Sequence, residues 1–203
     1  MDTFPGELDV SALRASTDGD VDAQRLLQVA LANEINVSDL AARWMPSTPE
    51  LDVKLAFARQ AGDEAGHFQL VADRLAALGF DAAAFTPPAE NALFAYLRGL
   101  TSTIERIAAG LYALEAVAYE VNEAFIAYCA KRGDAATVQI YRDYIQPDER
   151  AHHELGKRLL AKYARTAEQQ ALARATAAKV LELAAATRSK AASALGVACF
   201  PGC

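Results

Sequence analysis

Most fold classes need residues that this chain has little of. Its 203 residues include 11 glycines, 7 prolines, 3 cysteines, 3 histidines and a single tryptophan. Alternating runs of Val, Ile, Thr and aromatics are missing while alanine dominates, which excludes a sheet and points to an all-α protein. Three cysteines, an odd number, do not frame a disulfide scaffold. No segment approaches eighteen uninterrupted apolar residues, so no membrane span is expected. Acidic residues (26) outnumber basic ones (20), leaving a net charge of -6 and no basic stripe to follow a phosphate backbone, so nucleic acid is not an expected partner. The N-terminus lacks the basic-then-apolar pattern of a signal sequence, and cytoplasm is the expected location. A chain of this length fits one domain with its own core.

What is present is a repeat. Asp63-Glu64-Ala65-Gly66-His67 returns as Asp148-Glu149-Arg150-Ala151-His152, each in a frame that ends on leucine, Leu70 and Leu155. Residues three apart share a helix face, so Glu64 with His67 and Glu149 with His152 each offer a carboxylate and an imidazole to one point. At average usage near ~6% for Asp and for Glu, two such frames among three histidines is a coincidence on the order of one in ten thousand. One metal centre served by both pairs is the simpler reading.

Punctuation along the chain places the pairs on helices. Residues 1–19 read as an arm with at most one helical turn. Helical spacing of Leu27, Leu31, Val37 and Leu40 gives a first helix from about Asp20 to Trp44, carrying Glu34. A Ser47/Glu50 capping box opens a second, running to Leu78 with Gly79 after it. Phe80 to Glu90, with Pro87-Pro88, is long enough to cross the length of a bundle. The pattern that follows breaks near Gly99 into a short lead-in (residues 89–98) and a third long helix, opened by a Ser102/Glu105 box. Gly133 and Asp134 separate it from a fourth helix, Ala135 to about Ala164, with Pro147 expected to kink it. A last helix from Thr166 to about Ala194, striped by Leu172, Thr176, Val180 and Leu183, is expected to pack outside the bundle. The expected divisions are 1–19, 20–165 and 166–203.

A two-metal bundle site takes a carboxylate from each of two helices and Glu-x-x-His from each of the other two. Helix 1 offers Glu34. Helix 3 offers Glu115, Glu120 and Glu123; depth from the helix start favours Glu115, amid Ala108, Leu111 and Ala118, and leaves Glu120 as second choice. His153, about 100° round the helix from His152, reads as a surface residue. Tyr119, four residues after Glu115, is a candidate to bond a ligand, although a core aromatic is the simpler reading. Cys129 reads as a small buried residue, and Cys199 to Cys203 as a tail. Spacing and apolar character alone suggest Phe57, Phe68, Phe94, Tyr96 and Leu111 as pocket lining.

Taken together, Glu34, Asp63-Glu64-x-x-His67, Glu115 and Asp148-Glu149-x-x-His152 resemble the ferritin-like di-iron carboxylate superfamily over residues 20–165. Glu-to-Glu intervals of 30 and 34 look more like its oxygen-activating oxidases and oxygenases than a symmetric storage ferritin. The resemblance implies a four-helix bundle with one long crossover and two iron ions, with Fe/Mn or Mn/Mn as variants. Glu64 or Glu149 would bridge, His67 and His152 would bind one metal each, and Glu34 and Glu115 would be terminal or bridging. Asp63 and Asp148 would hold the far ring nitrogens of the histidines. The implied activity is oxidation or oxygenation of a small organic substrate by molecular oxygen, with an electron donor as a further partner. A ferroxidase and a non-catalytic oxygenase subunit are the alternatives, and the Ala-rich last helix is a candidate homodimer contact.

Overall fold

The computed structural model describes residues 4–13, 23–81, 84–86 and 88–195, and among these there are six helices and no strand. We number them α1 (Ala23–Trp44), α2 (Leu51–Ala77), α3 (Ala92–Gly99), α4 (residues 103–131), α5 (residues 135–163) and α6 (Ala167–Leu195). A one-turn 3₁₀ segment, Ser11–Leu13, is the only helical turn in the described part of the arm. The expected start of α1 at Asp20 and the Cys199–Cys203 tail lie outside the described residues.

Two of the long helices are not uniform. In α4 a π segment, Ile107–Leu114, sits between α-helical Thr103–Arg106 and Glu115–Lys131. In α5 the π segment is Tyr141–Ile145, where the Gln146 N–H reaches back five residues to the Tyr141 carbonyl. Pro147 follows directly at the start of Gln146–Tyr163. A proline ring clashes with the carbonyl four residues before it, and the chain meets this with a widened turn that keeps the helix going.

Several caps form as the sequence suggests. Ser102 and Glu105 make a reciprocal capping box, Thr166 and Gln169 make another, and Gly133 takes a left-handed φ of 73° before the Asp134 cap. The Ser47/Glu50 box does not form. Ser47 Oγ donates to the Trp44 carbonyl and accepts from Arg106, while Glu50 accepts from Thr103, so both side chains are taken by neighbours and α2 starts at Leu51 without a side-chain cap. The lead-in helix is shifted to Ala92–Gly99, where Asn91 supplies the cap.

The core is two apolar clusters with a polar layer between them. One holds Val37, Leu40 and Trp44 of α1, Val53 and Phe57 of α2, Ile107 to Val121 of α4, Leu159 and Leu160 of α5, and the inner face of α6. The other holds Leu26 to Leu31, Val71 to Leu75, Phe125 to Cys129, and Tyr141 with Ile145. Along α1 and α5 the chain runs from the second cluster to the first; along α2 and α4 it runs the opposite way. Each of the four helices therefore passes once from one cluster to the other; Glu34, Glu64 and Glu149 stand between the two runs of their helices, and Glu115 stands within the α4 run of the first cluster. Arg106 clasps the α1–α2 turn through Ser47 and Thr48. At the other end Arg74 of α2 donates to Asp134 and Thr137 of α5.

The stripe of α6 is offset from the expected one. Thr176 and Val180 are buried, but Ala173, Ala177 and Ala184 complete the face, while Leu172 is exposed and Leu183 only partly covered. Alanines let α6 lie close against α3 and α4, a contact that leucines would hold apart. Phe57, Phe94 and Leu111 are fully buried core residues, and Phe68 and Tyr96 pack on the clusters. None of the five lines any of the three described cavities.

Candidate metal centre

The polar layer gathers all six expected ligands. One ligand atom from each of Glu34, Glu64, His67 and Glu149 lies within 4.8 Å of the others, and the same holds for Glu64, Glu115, Glu149 and His152. Glu64 and Glu149 belong to both groups. All six side chains are buried, with exposures of 1–3%. Glu115 is in and Glu120 is not; Glu120 is half-buried five residues further along α4.

The aspartates cross over. His67 Nε2 lies 3.3 Å from Asp148 Oδ2, and His152 Nε2 lies 3.0 Å from Asp63 Oδ2, so each motif's aspartate serves the other motif's histidine. The Nδ1 atoms face inward: His67 Nδ1 is 3.3 Å from Glu64 and 3.6 Å from Glu34, and His152 Nδ1 is 3.6 Å from both Glu64 and Glu115. An imidazole held through Nε2–H by a carboxylate presents a Nδ1 lone pair in a fixed direction, the arrangement metal-ligating histidines use.

Without a metal, protons must offset the carboxylate charge. Burial opposes charging of His67, but Glu34 and Glu64 overcome it and raise its pKa to about 11. His152 is likewise raised to about 11, burial being outweighed by Glu115 and Glu64. Burial, helped by the charge of Glu64, carries Glu34 up to about 8 against the pull of its His67 bond. Glu149 is pushed well up by burial and then by Glu115 and Glu64. For Glu64 burial is outweighed by the neighbouring imidazoles of His152 and His67, which bring it down to about 2.

Two observations bear on whether these residues suit a metal. Glu34 Oε1, Glu64 Oε1, Glu115 Oε2, Glu149 Oε2 and His152 Nδ1 are buried with no hydrogen-bond partner. One such group costs about 1–3 kcal/mol, and five within one cluster could be met together by a shared cation. The donor set is four carboxylates and two imidazoles without a thiolate, the chemistry of iron or manganese rather than of structural zinc. The residues fit a pair of divalent ions.

Sequence reasoning missed Gln60. It is buried in α2, one turn before Glu64, and its Nε2 donates to Glu115 Oε1. Its position four residues before a ligand, on the same face, was the available signal. Tyr119 contributes a main-chain carbonyl to Gln146 Nε2, and it is in neither ligand group. His153 is not a surface residue: half-buried, it stacks on Tyr112 with centroids 5.2 Å apart, and its Nδ1 lies 2.8 Å from the Tyr112 carbonyl. Cys129 is buried, as expected.

None of the three described cavities is lined by a ligand of the cluster. Among the described residues no helix is long and apolar enough to cross a membrane. No curated protein and no solved structure matches the chain. A protein-family model described as "Protein of unknown function (DUF455)" matches residues 13–191, most of the chain, which therefore belongs to that family.

Proposed function

We propose that the chain is a ferritin-like dinuclear iron protein that uses molecular oxygen to oxidise a small organic substrate. The observation that carries the reading is the pair of buried four-residue groups sharing Glu64 and Glu149, with five orphaned ligand atoms between them. One ion would be held by Glu34 and His67, the other by Glu115 and His152, and the shared carboxylates would serve both. When bound, a pair of iron(II) ions supplies electrons to oxygen, which no amino-acid side chain here can do.

The chain's own residues do the remaining work. Four carboxylates would balance the charge of two divalent cations, so the loaded layer would sit in its apolar surroundings near neutrality. Asp63 and Asp148 fix the imidazole tautomers. The apolar clusters above and below keep water from the layer, which protects an oxidising centre from side reactions. Up-down-down-up passage of α1, α2, α4 and α5 through the layer, with α3 in the crossover, supports the ferritin-like assignment.

A second reading has its own support. The six side chains are only 1–3% exposed, a setting that suits a substrate as small as iron(II) itself, which would make the chain a ferroxidase. Anaerobic loading with iron(II), followed by exposure to oxygen, separates the two. Two irons per chain with no further uptake, and oxygen consumed faster when an organic substrate is added, is the expected result. Continued iron oxidation beyond two per chain would favour the ferroxidase, and no iron uptake would overturn both.

A further inference from the structure

We infer that the two metal positions are unequal, and that Gln60 makes the position formed by Glu115 and His152 the tighter one. The inference rests on the dinuclear reading and adds which half of the centre is built first. The repeat relates Glu34 to Glu115, Glu64 to Glu149, His67 to His152 and Asp63 to Asp148. Were the support equally repeated, the residue four before Glu149 would match the residue four before Glu64. It does not: the first is Ile145, the second Gln60.

The amide has one visible task. Gln60 is 1% exposed, and its Nε2 donates to Glu115 Oε1, while its own Oε1 has no partner. A buried amide satisfied at only one end costs stability, so the bond to Glu115 is what offsets the burial of Gln60. That bond fixes one oxygen of Glu115 and leaves Oε2 available for a metal. Ile145, buried in the second apolar cluster, has no donor to offer Glu34, and Glu34 keeps Oε1 unpartnered.

The histidines show the same bias. Asp63, at 3.0 Å from His152, is itself held by Arg59 at 3.3 Å. Asp148 stands 3.3 Å from His67, and the residue matching Arg59 is Tyr144, which is exposed and carries no charge. Thus α2 supports both ligands of one position, through Gln60 and Asp63, and α5 supports only the histidine of the other. A carboxylate already held in place loses less freedom on binding, so the first ion enters beside Glu115 and His152. Gln60 acts through Glu115 and is a positioning residue.

The test is calorimetric titration of the full chain with Mn(II), reading the dissociation constant of the first equivalent. With Gln60 present, His152→Ala is expected to weaken that first step at least tenfold more than His67→Ala does. Repeating both substitutions in a Gln60→Leu background should shrink the gap by roughly 10–100-fold, the usual effect of losing an outer partner of a metal ligand. Gln60→Met serves as a second apolar isostere, and unchanged helical circular dichroism checks folding. Equal weakening by the two histidine substitutions, or a gap that survives both Gln60 substitutions, would overturn the proposal while leaving the dinuclear reading intact. Failure of the unsubstituted protein to take up two Mn(II) would overturn the dinuclear reading and the proposal with it.

Discussion

The hairpins α1–α2 and α4–α5 bring the same ligands to the same layer on different backbones. In the first, both helices are regular and the ligands follow from α-helical spacing. In the second, each helix has a π segment upstream of its ligands: Ile107–Leu114 ends directly before Glu115, and Tyr141–Ile145 ends four residues before Glu149. Segments of this kind cost hydrogen-bond geometry and recur at functional sites. Here they accompany close packing between α4 and α5, where Gly156 lies against the backbone of Leu111 and Tyr112 and the Tyr112 carbonyl accepts from His153. Ligand chemistry is repeated between the halves; the way the backbone delivers it is not.

The largest effect that separates shared from unshared ligands comes from Glu64→Ala. It should abolish dinuclear loading and leave helix content intact, whereas Glu34→Ala should leave one ion per chain; elemental analysis after iron(II) loading checks both. Retention of two ions in Glu64→Ala would break the assignment of Glu64 to both groups.

Next comes the contrast between two glycines. A Cβ at Gly156 would sit 2.7–2.8 Å from main-chain atoms of Leu111 and Tyr112, so Gly156→Ala should destabilise the fold by about 1–3 kcal/mol in urea denaturation. Gly66, between Glu64 and His67, meets nothing within 4 Å. Gly66→Ala should therefore stabilise by roughly 0.5–1 kcal/mol. Equal responses would mean that the tight α4–α5 packing is not a feature of the second half alone.

Proton release gives a third check. In the metal-free layer His67 and His152 are raised to about 11 and Glu34 to about 8, so at neutral pH they hold protons that metals must expel. Each proton expelled makes apparent affinity rise with pH, so Mn(II) binding should tighten from about pH 6 to about pH 8. Calorimetry in buffers of different ionisation enthalpy counts the protons; no release would contradict a proton-balanced layer. The smallest effect is expected from Glu120→Gln, which should leave loading unchanged.

Much of this layer was legible because its signal is local. Glu64 with His67, and Glu149 with His152, are fixed by three-residue spacing alone. Glu115 was preferred to Glu120 by depth along the helix, and that counting survived the π segment because the layer lies at one depth in all four helices. The π segment of α4 left no trace in the pattern, because Ile107 to Leu114 is buried on every side and carries no period to count, whereas that of α5 was signalled only as a kink at Pro147. Gln60 was missed because the carboxylate it donates to, Glu115, lies 55 residues further along the chain. His153 was misplaced because the carbonyl it meets belongs to Tyr112, 41 residues earlier. Of the expected α6 stripe, Thr176 and Val180 are buried and Leu172 is exposed, because the contact was set by small residues, Ala173, Ala177 and Ala184.

The most direct test of two ions held in one layer is anomalous diffraction from crystals of the protein loaded with Mn(II). Two peaks about 3.5–4 Å apart, flanked by Glu34 and His67 on one side and by Glu115 and His152 on the other, with Glu64 and Glu149 between them, is the expected result. A single peak, or two peaks away from these six side chains, would contradict it.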